Sequence, residues 1–207
     1  MEMIEKKNKA NRDLFISGVI DKEISDKIIL QLKEINEEDL LIYEQNQFRN
    51  KENQIPYEPI NITINSQGGS ISCGCAIMNA LEDCLAPILT HALGEVVSMA
   101  VYIYIMGDVR TAGNLSFFGI HGAQTVYGGY TEEMQKYLNI NDRIVKKLDD
   151  ILIERTNVTD EDIEKSKTCF TFYDYDEALQ KGLVTMDIYN DDLEEVTKMI
   201  QNQLYEK

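Results

Sequence analysis

Cationic residues, histidines and long apolar runs are all scarce in this chain of 207 residues, and each scarcity removes a class of function. Lys and Arg total 20 against 36 Asp and Glu, a formal net charge of −16. Nucleic acid is held chiefly by cationic contacts to phosphate, so this balance argues against a polyanion partner. No apolar stretch approaches the ~18 residues that a bilayer span requires, so no membrane association is expected. The opening MEMIEKKNKANRD has no apolar core of the kind a secretory signal needs. Cysteine is sparse as well. Cys73, Cys75 and Cys84 share one apolar segment, where a free thiol acts as a small hydrophobe, and Cys169 stands apart. The two histidines, His91 and His121, are too few and too distant to complete a zinc site with Cys73-Gly74-Cys75, so no metal is expected. Reduced thiols, an acidic surface and no export signal point to the cytoplasm. Neither an internal repeat nor a low-complexity tract divides the chain, and one domain over 1–207 is expected.

What is present is a repeated strand, glycine turn and helix. Leu14-Phe15-Ile16 reads as a short buried strand closed by a turn at Gly18. Asp21 then caps a helix to about Asn36, with Ile24, Ile28, Leu32 and Ile35 on one face. Glu37 to Glu58 is polar and reads as a surface excursion. Ile60, Ile62 and Ile64 alternate with Asn61 and Thr63 in a period-two strand that runs into Asn65-Ser66-Gln67-Gly68-Gly69-Ser70. A helix from Ile71 to Leu85 follows, broken at Pro87. Ile88 to Leu93 is the next strand; Gly94 to Val97 turns into an apolar helix from Ser98 to Met106. Leu115 to Ile120 is a third strand, closing on His121. Thr131 to Thr156 forms one long helix with Met134, Leu138, Ile144, Leu148 and Ile151 as its apolar stripe. Thr159 or Asp160 caps a helix from Glu161 to Lys167, and Asp174 caps another from Tyr175 to Lys181 that Gly182 ends. Val184 to Ile188 reads as a last strand, and the tail from Asp191 as helical. This order gives an α/β fold of crossover units, with ligand chemistry expected at the carboxyl ends of the strands.

Both glycine turns fall at that sheet edge. Ser98 opens an apolar helix, where amide N–H groups and the helix dipole favour developing negative charge, although an N-cap serine looks the same. His121 ends a strand at the same edge and is the residue type that serves as base to a serine nucleophile. His91, inside the strand ILTHAL, reads as a packed strand residue. Gly68 and Gly69 leave the backbone bare of Cβ, suited to donating N–H groups to an oxyanion.

These residues resemble the ClpP family of serine peptidases. Ile62 to Ile71 is similar to the family's strand and glycine loop, Y-I-N-S-P-G-G-S, with Gln67 where the family carries proline. Val97-Ser98-Met99-Ala100 resembles its A-S-M-G/A nucleophile motif, and Gly119-Ile120-His121 the strand bearing its catalytic histidine. Asp176-Glu177-Ala178 with Gly182-Leu183-Val184 resembles its closing E-E-A and G-L-I/V. The likeness runs collinearly from about Leu14 to Ile188. It implies a spiral of ββα crossover units shared with the crotonases, with a protruding handle over about 123–156. It implies Ser98 as nucleophile, His121 as general base, and the N–H groups of Gly69 and Met99 as oxyanion hole. Peptide would lie along Gly68, Ser70 and Ile71 and pair with the segment that includes Ala123, Gln124 and Thr125. The implied function is a serine endopeptidase, the proteolytic subunit of a chambered, ATP-dependent protease. Its implied partners are copies of itself in heptameric rings stacked to a tetradecamer, an AAA+ unfoldase and unfolded polypeptide; no cofactor is implied.

A further departure from that family falls at the third catalytic position. Aligning Phe172 and Ala178 with the segment D-x-F-L-S/T-A-x-E-A places Phe170 where the family has its acid. Asp174 then stands at a helix-capping position. Asp174, Thr171 and a backbone carbonyl remain the candidates for a third residue, with Asp174 taken first. The same substitution supports a second reading, a weak or inactive ring subunit that acts as scaffold. A crotonase-type acyl-CoA enzyme needs no serine–histidine pair, and a Ser–Lys peptidase finds no lysine between Lys51 and Lys136.

Overall fold

The computed structural model describes residues 9–124 and 128–191. Its centre is a six-stranded sheet. Strand β1 (Asp13–Ile20), β2 (Ile60–Gly69), β3 (Ile88–Val97) and β5 (Phe117–Ile120) lie in that order and run parallel, and β6 (Thr171–Tyr173) closes the edge antiparallel to β5. Strand β4 (Val109–Ala112) pairs with the first half of β3, whereas β5 pairs with its second half. Each parallel step is made by a crossover helix: α1 (Lys22–Asn46), α2 (Ile71–Glu82) and α3 (Met99–Tyr104). The fold is therefore the α/β fold of crossover units expected from the alternation of strand and helix.

Alternation drives β2: Ile60, Ile62 and Ile64 are buried, and they meet buried Leu14, Ile16 and Ile20 of β1 and Ile28, Leu32 and Ile35 of α1 in one core. Asp21 caps α1 by accepting a hydrogen bond from the Ile24 N–H at 3.0 Å. Gly18 is not a turn. Its φ of +76° sits at a bulge inside β1, where the pairing with β2 shifts between Ser17 and Val19.

The expected stop of α1 near Asn36 is also corrected, because the helix runs ten residues further, to Asn46. Strong helix formers and no glycine or proline fill that stretch, and Asp39, fully buried, accepts hydrogen bonds from Arg12 Nη1 and Nη2. A polar composition thus hid a helix that buries its own charge against a partner 27 residues away.

Strand β3 likewise continues through Gly94 to Val97, where a turn was expected. The reason is Asn65, whose side-chain oxygen accepts the Glu95 N–H at 3.1 Å and ties β3 to β2 across the shift in their pairing. Val184 to Ile188 forms no strand. The Thr185 and Met186 N–H groups both donate to the Arg110 carbonyl, at 2.9 and 3.3 Å, which attaches the segment to β4 at one point. Strands β4 and β6 carry too few residues, four and three, to show a period. The expected helix beyond Asp191 lies outside the described residues.

Helix α4 (Thr131–Arg155) matches the long helix read from the sequence. Only Leu148 and Leu152 of it are buried, and Tyr137, Ile140 and Ile144 stay exposed. Helices α5 (Asp160–Ser166) and α6 (Tyr175–Gln180) follow, both opened by capping boxes, Thr159 with Asp162 and Asp174 with Glu177. Among the described residues no helix is long and apolar enough to cross a membrane.

Candidate active site

Ser98 stands at the junction of β3 and α3 with φ 58° and ψ −127°, the one non-glycine residue with positive φ among those described. Such a conformation costs on the order of 1–3 kcal/mol and persists only where the surroundings over-determine it. They do so here from two sides. The Ser98 N–H donates to the Gly119 carbonyl of β5 at 2.7 Å. On the other side lies the glycine loop of β2: a Cβ on Gly68 would fall 2.6 Å from the Val97 oxygen, 2.7 Å from Ser98 Cβ and 2.9 Å from the Met99 nitrogen. Glycine is therefore required at 68 by sterics as well as by its φ of +92°. Ser66 sets that loop, donating from its buried hydroxyl to the Gly18 carbonyl and accepting from the Gly68 N–H.

Met99 is the first residue of α3, so its N–H has no partner within the helix. Its side chain fills the space a Cβ would take on Gly74 of α2, 2.3 Å from that position. Gly74 between Cys73 and Cys75 therefore serves packing, and the two flanking cysteines carry free thiols.

His121 follows β5, beside β3, and its Nδ1 lies 2.7 Å from the Gly122 carbonyl oxygen. A carbonyl only accepts, so Nδ1 carries the proton, and in the neutral ring Nε2 is then the acceptor. No hydrogen bond joins Ser98 and His121 among the described residues. Both line one cavity of about 360 Å³, together with Ile71, Met99 and Ala123. Catalytic contacts commonly tighten only when substrate fills the site. Gly69, Ser70 and Gln124 line an adjoining cleft of about 330 Å³ that shares Ile71 with the first. Thr125 lies outside the described residues. His91 is away from both cavities; its Nδ1 pairs with the Thr111 hydroxyl at 2.9 Å, and burial lowers its pKa.

The third residue is where sequence expectation and geometry part. The antiparallel pairing of Ile120 with Thr171 and Gly119 with Phe172 continues to bring residue 170 opposite His121. Phe170 is there, with its ring 4.3 Å from the imidazole centroid and tilted by 31°. Phe172 stacks on it at 5.5 Å. Thr171 points to the other face, as alternation along a strand dictates. Asp174 lies four residues beyond Phe170, roughly 13 Å of extended chain. Its carboxylate accepts the Glu177 N–H at 2.9 Å, as the cap of α6. The structure does not bring Asp174 to His121.

Two residues of the cavity went unnoticed in the sequence. Asp149 of α4 and Tyr102 of α3 line it with Ser98, and Tyr102 Oη donates to Asp149 Oδ1 at 3.1 Å. Burial pushes the Asp149 carboxyl above its ordinary range, against the opposing effect of that hydrogen bond. Nothing local signals this pair, because 47 residues separate them. The available cue was that Asp149 falls beside the apolar stripe of α4 instead of on its charged face.

Comparison with known proteins finds the same relationship along the whole described fold. Residues 2–190 match the family described as Clp protease. One relative, the ATP-dependent Clp protease proteolytic subunit 2 of Borreliella burgdorferi, is 26% identical over 176 residues, which span 84% of this chain and 81% of that protein.

Proposed function

This chain belongs to the Clp protease family, and from that premise we propose that it is a serine endopeptidase subunit that cleaves unfolded polypeptide within a ring-shaped oligomer. The observation that carries the proposal is the strained Ser98, wedged between Gly68 and Gly119 and opening onto the cavity that His121 also lines. Strain at a hydroxyl-bearing residue has no structural use, since glycine would relieve it. In this reading Ser98 Oγ attacks the scissile carbonyl and passes its proton to His121 Nε2, whose ring is oriented by the Gly122 carbonyl. The N–H groups of Gly69 and Met99 hold the oxyanion, and protonated His121 returns its proton to the leaving amine. Gly68, Ser70, Ile71, Ala123 and Gln124 line the path of the peptide.

The whole of 1–207 then forms one peptidase domain with a handle over about 123–156. Apolar residues left exposed on α4 support assembly into stacked rings, because such a stripe is costly in water. The relative named as ATP-dependent supports an unfoldase partner, and the acidic surface and free thiols support a cytoplasmic location.

A fluorophosphonate probe tests the chemistry. Labelling should fall on Ser98 and vanish in Ser98→Ala and His121→Ala, with peptide hydrolysis reduced by on the order of 10³-fold or more. Retained labelling in Ser98→Ala would overturn the assignment. Light scattering should show a large homo-oligomer; a monomer at micromolar concentration would contradict the ring. Phe170 favours one second reading, a ring subunit with little activity of its own, for which neither probe nor peptide reacts while assembly persists.

A further inference from the structure

We propose that Asp149 makes the cavity beside Ser98 a subsite for a lysine side chain on the residue that precedes the scissile bond. This deepens the peptidase reading and rests on it. A cavity that contains the nucleophile adjoins the residue whose carbonyl acylates Ser98, so its lining bears on which side chain is accepted there.

That lining is mixed in a particular way. Ile71, Met99, Leu148 and Ile163 offer apolar walls suited to an alkyl chain. From α4 come two acids, half-buried Asp149 and exposed Asp142. Asp149 Oδ1 is taken by Tyr102, but Oδ2 receives no hydrogen bond among the described residues. Lys167, the cation on the same lining, is bonded to Glu164, and its charge acts on Asp149 without a hydrogen bond to it. The pocket thus holds a carboxylate with unused acceptor capacity next to an apolar surface. Burial raises the Asp149 pKa in spite of the Tyr102 hydrogen bond and the Lys167 charge, and an ammonium group on Oδ2 would relieve that cost. An alkyl chain ending in a cation satisfies both surfaces at once. An acidic side chain would meet like charge, and a purely apolar one would leave the carboxylate desolvated and unpaired.

The test compares peptides with lysine or norleucine at that position, since norleucine keeps the alkyl chain and lacks the ammonium. Binding is read by fluorescence anisotropy on Ser98→Ala protein with labelled hexapeptides, and turnover on the unmodified protein with the matching coumarin amides. Lysine should be preferred by about tenfold in both readouts. Asp149→Asn, which still accepts from Tyr102, should bring the ratio close to one by weakening lysine while leaving norleucine unchanged. Asp149→Leu should reverse it. Asp150→Asn removes a neighbouring exposed charge and should leave the ratio intact; an equal drop there would show general attraction to an acidic surface and overturn the subsite. No lysine preference in binding, or a preference that survives Asp149→Asn, would also overturn it. Absence of turnover with every peptide bears on the peptidase reading instead, because the binding ratio still decides the pocket.

Discussion

At the end of β3, Ser98 is enclosed by backbone, whereas just before β6 the residue facing His121 is held by ring contacts. The first region has almost no freedom: Gly119 takes the Ser98 N–H and Gly68 leaves no space for even one added carbon. The second is a stack of Phe170 on Phe172, with 45% and 54% of each residue exposed, so many side chains would fit there. Nucleophile geometry is therefore overdetermined, and the environment of the base is open to change. Where the surrounding backbone dictates a residue, its loss is expensive; where packing alone holds it, replacement is cheap.

The largest effect that would break this contrast is at the glycine loop. Gly68→Ala adds a Cβ within 2.6 Å of the Val97 carbonyl and forces an L-residue into positive φ. It should cost about 3 kcal/mol of stability, read as a lowered Tm, and should remove fluorophosphonate labelling even where the fold survives. A stable, fully reactive Gly68→Ala would show that the β3 junction is less confined than its contacts imply.

A smaller effect, in the opposite direction, is expected across the sheet edge. Phe170→Asp places a carboxylate opposite His121 at a half-exposed site that tolerates the change. Peptide turnover should rise by roughly tenfold or more, because an anionic partner stabilises the imidazolium that forms in the transition state better than the Gly122 carbonyl does. Unchanged turnover would identify that carbonyl as a sufficient partner. The smallest effect is expected at the cap. Asp174→Asn keeps an N-cap acceptor for Glu177 and should change stability by less than about 0.5 kcal/mol, with kcat unaltered. A large loss of kcat there would place the third residue at Asp174 after all.

How much was legible followed from how local each signal was. The alternation at Ile60 to Ile64, the caps at Asp21, Thr159 and Asp174, and the 25 residues of α4 were all readable from neighbouring residues. The extension of α1 was not, since it depends on Asp39 finding Arg12 across the fold. Nor was the absence of a strand at Val184 to Ile188. Its apolar pattern matches a strand, yet Arg110 of β4 occupies the adjoining carbonyls of Gly182 and Leu183 with its guanidinium. Within the site, Asn65 and Ser66 were visible as part of a motif without any hint of what each one holds.

By itself the sequence determined the alternation of parallel strand and crossover helix, and with it the sheet edge that gathers Ser98 and His121. Those features are written in short periods and in residues whose backbone preferences act over a few positions. Only the tertiary structure decided that Phe170 covers the imidazole, that the Gly122 carbonyl takes its proton-bearing nitrogen, and that Asp149 reaches the same cavity from a helix 47 residues beyond Tyr102. Those contacts depend on strand register and on how a long helix returns to the sheet, and close packing fixes both only when the whole core has formed.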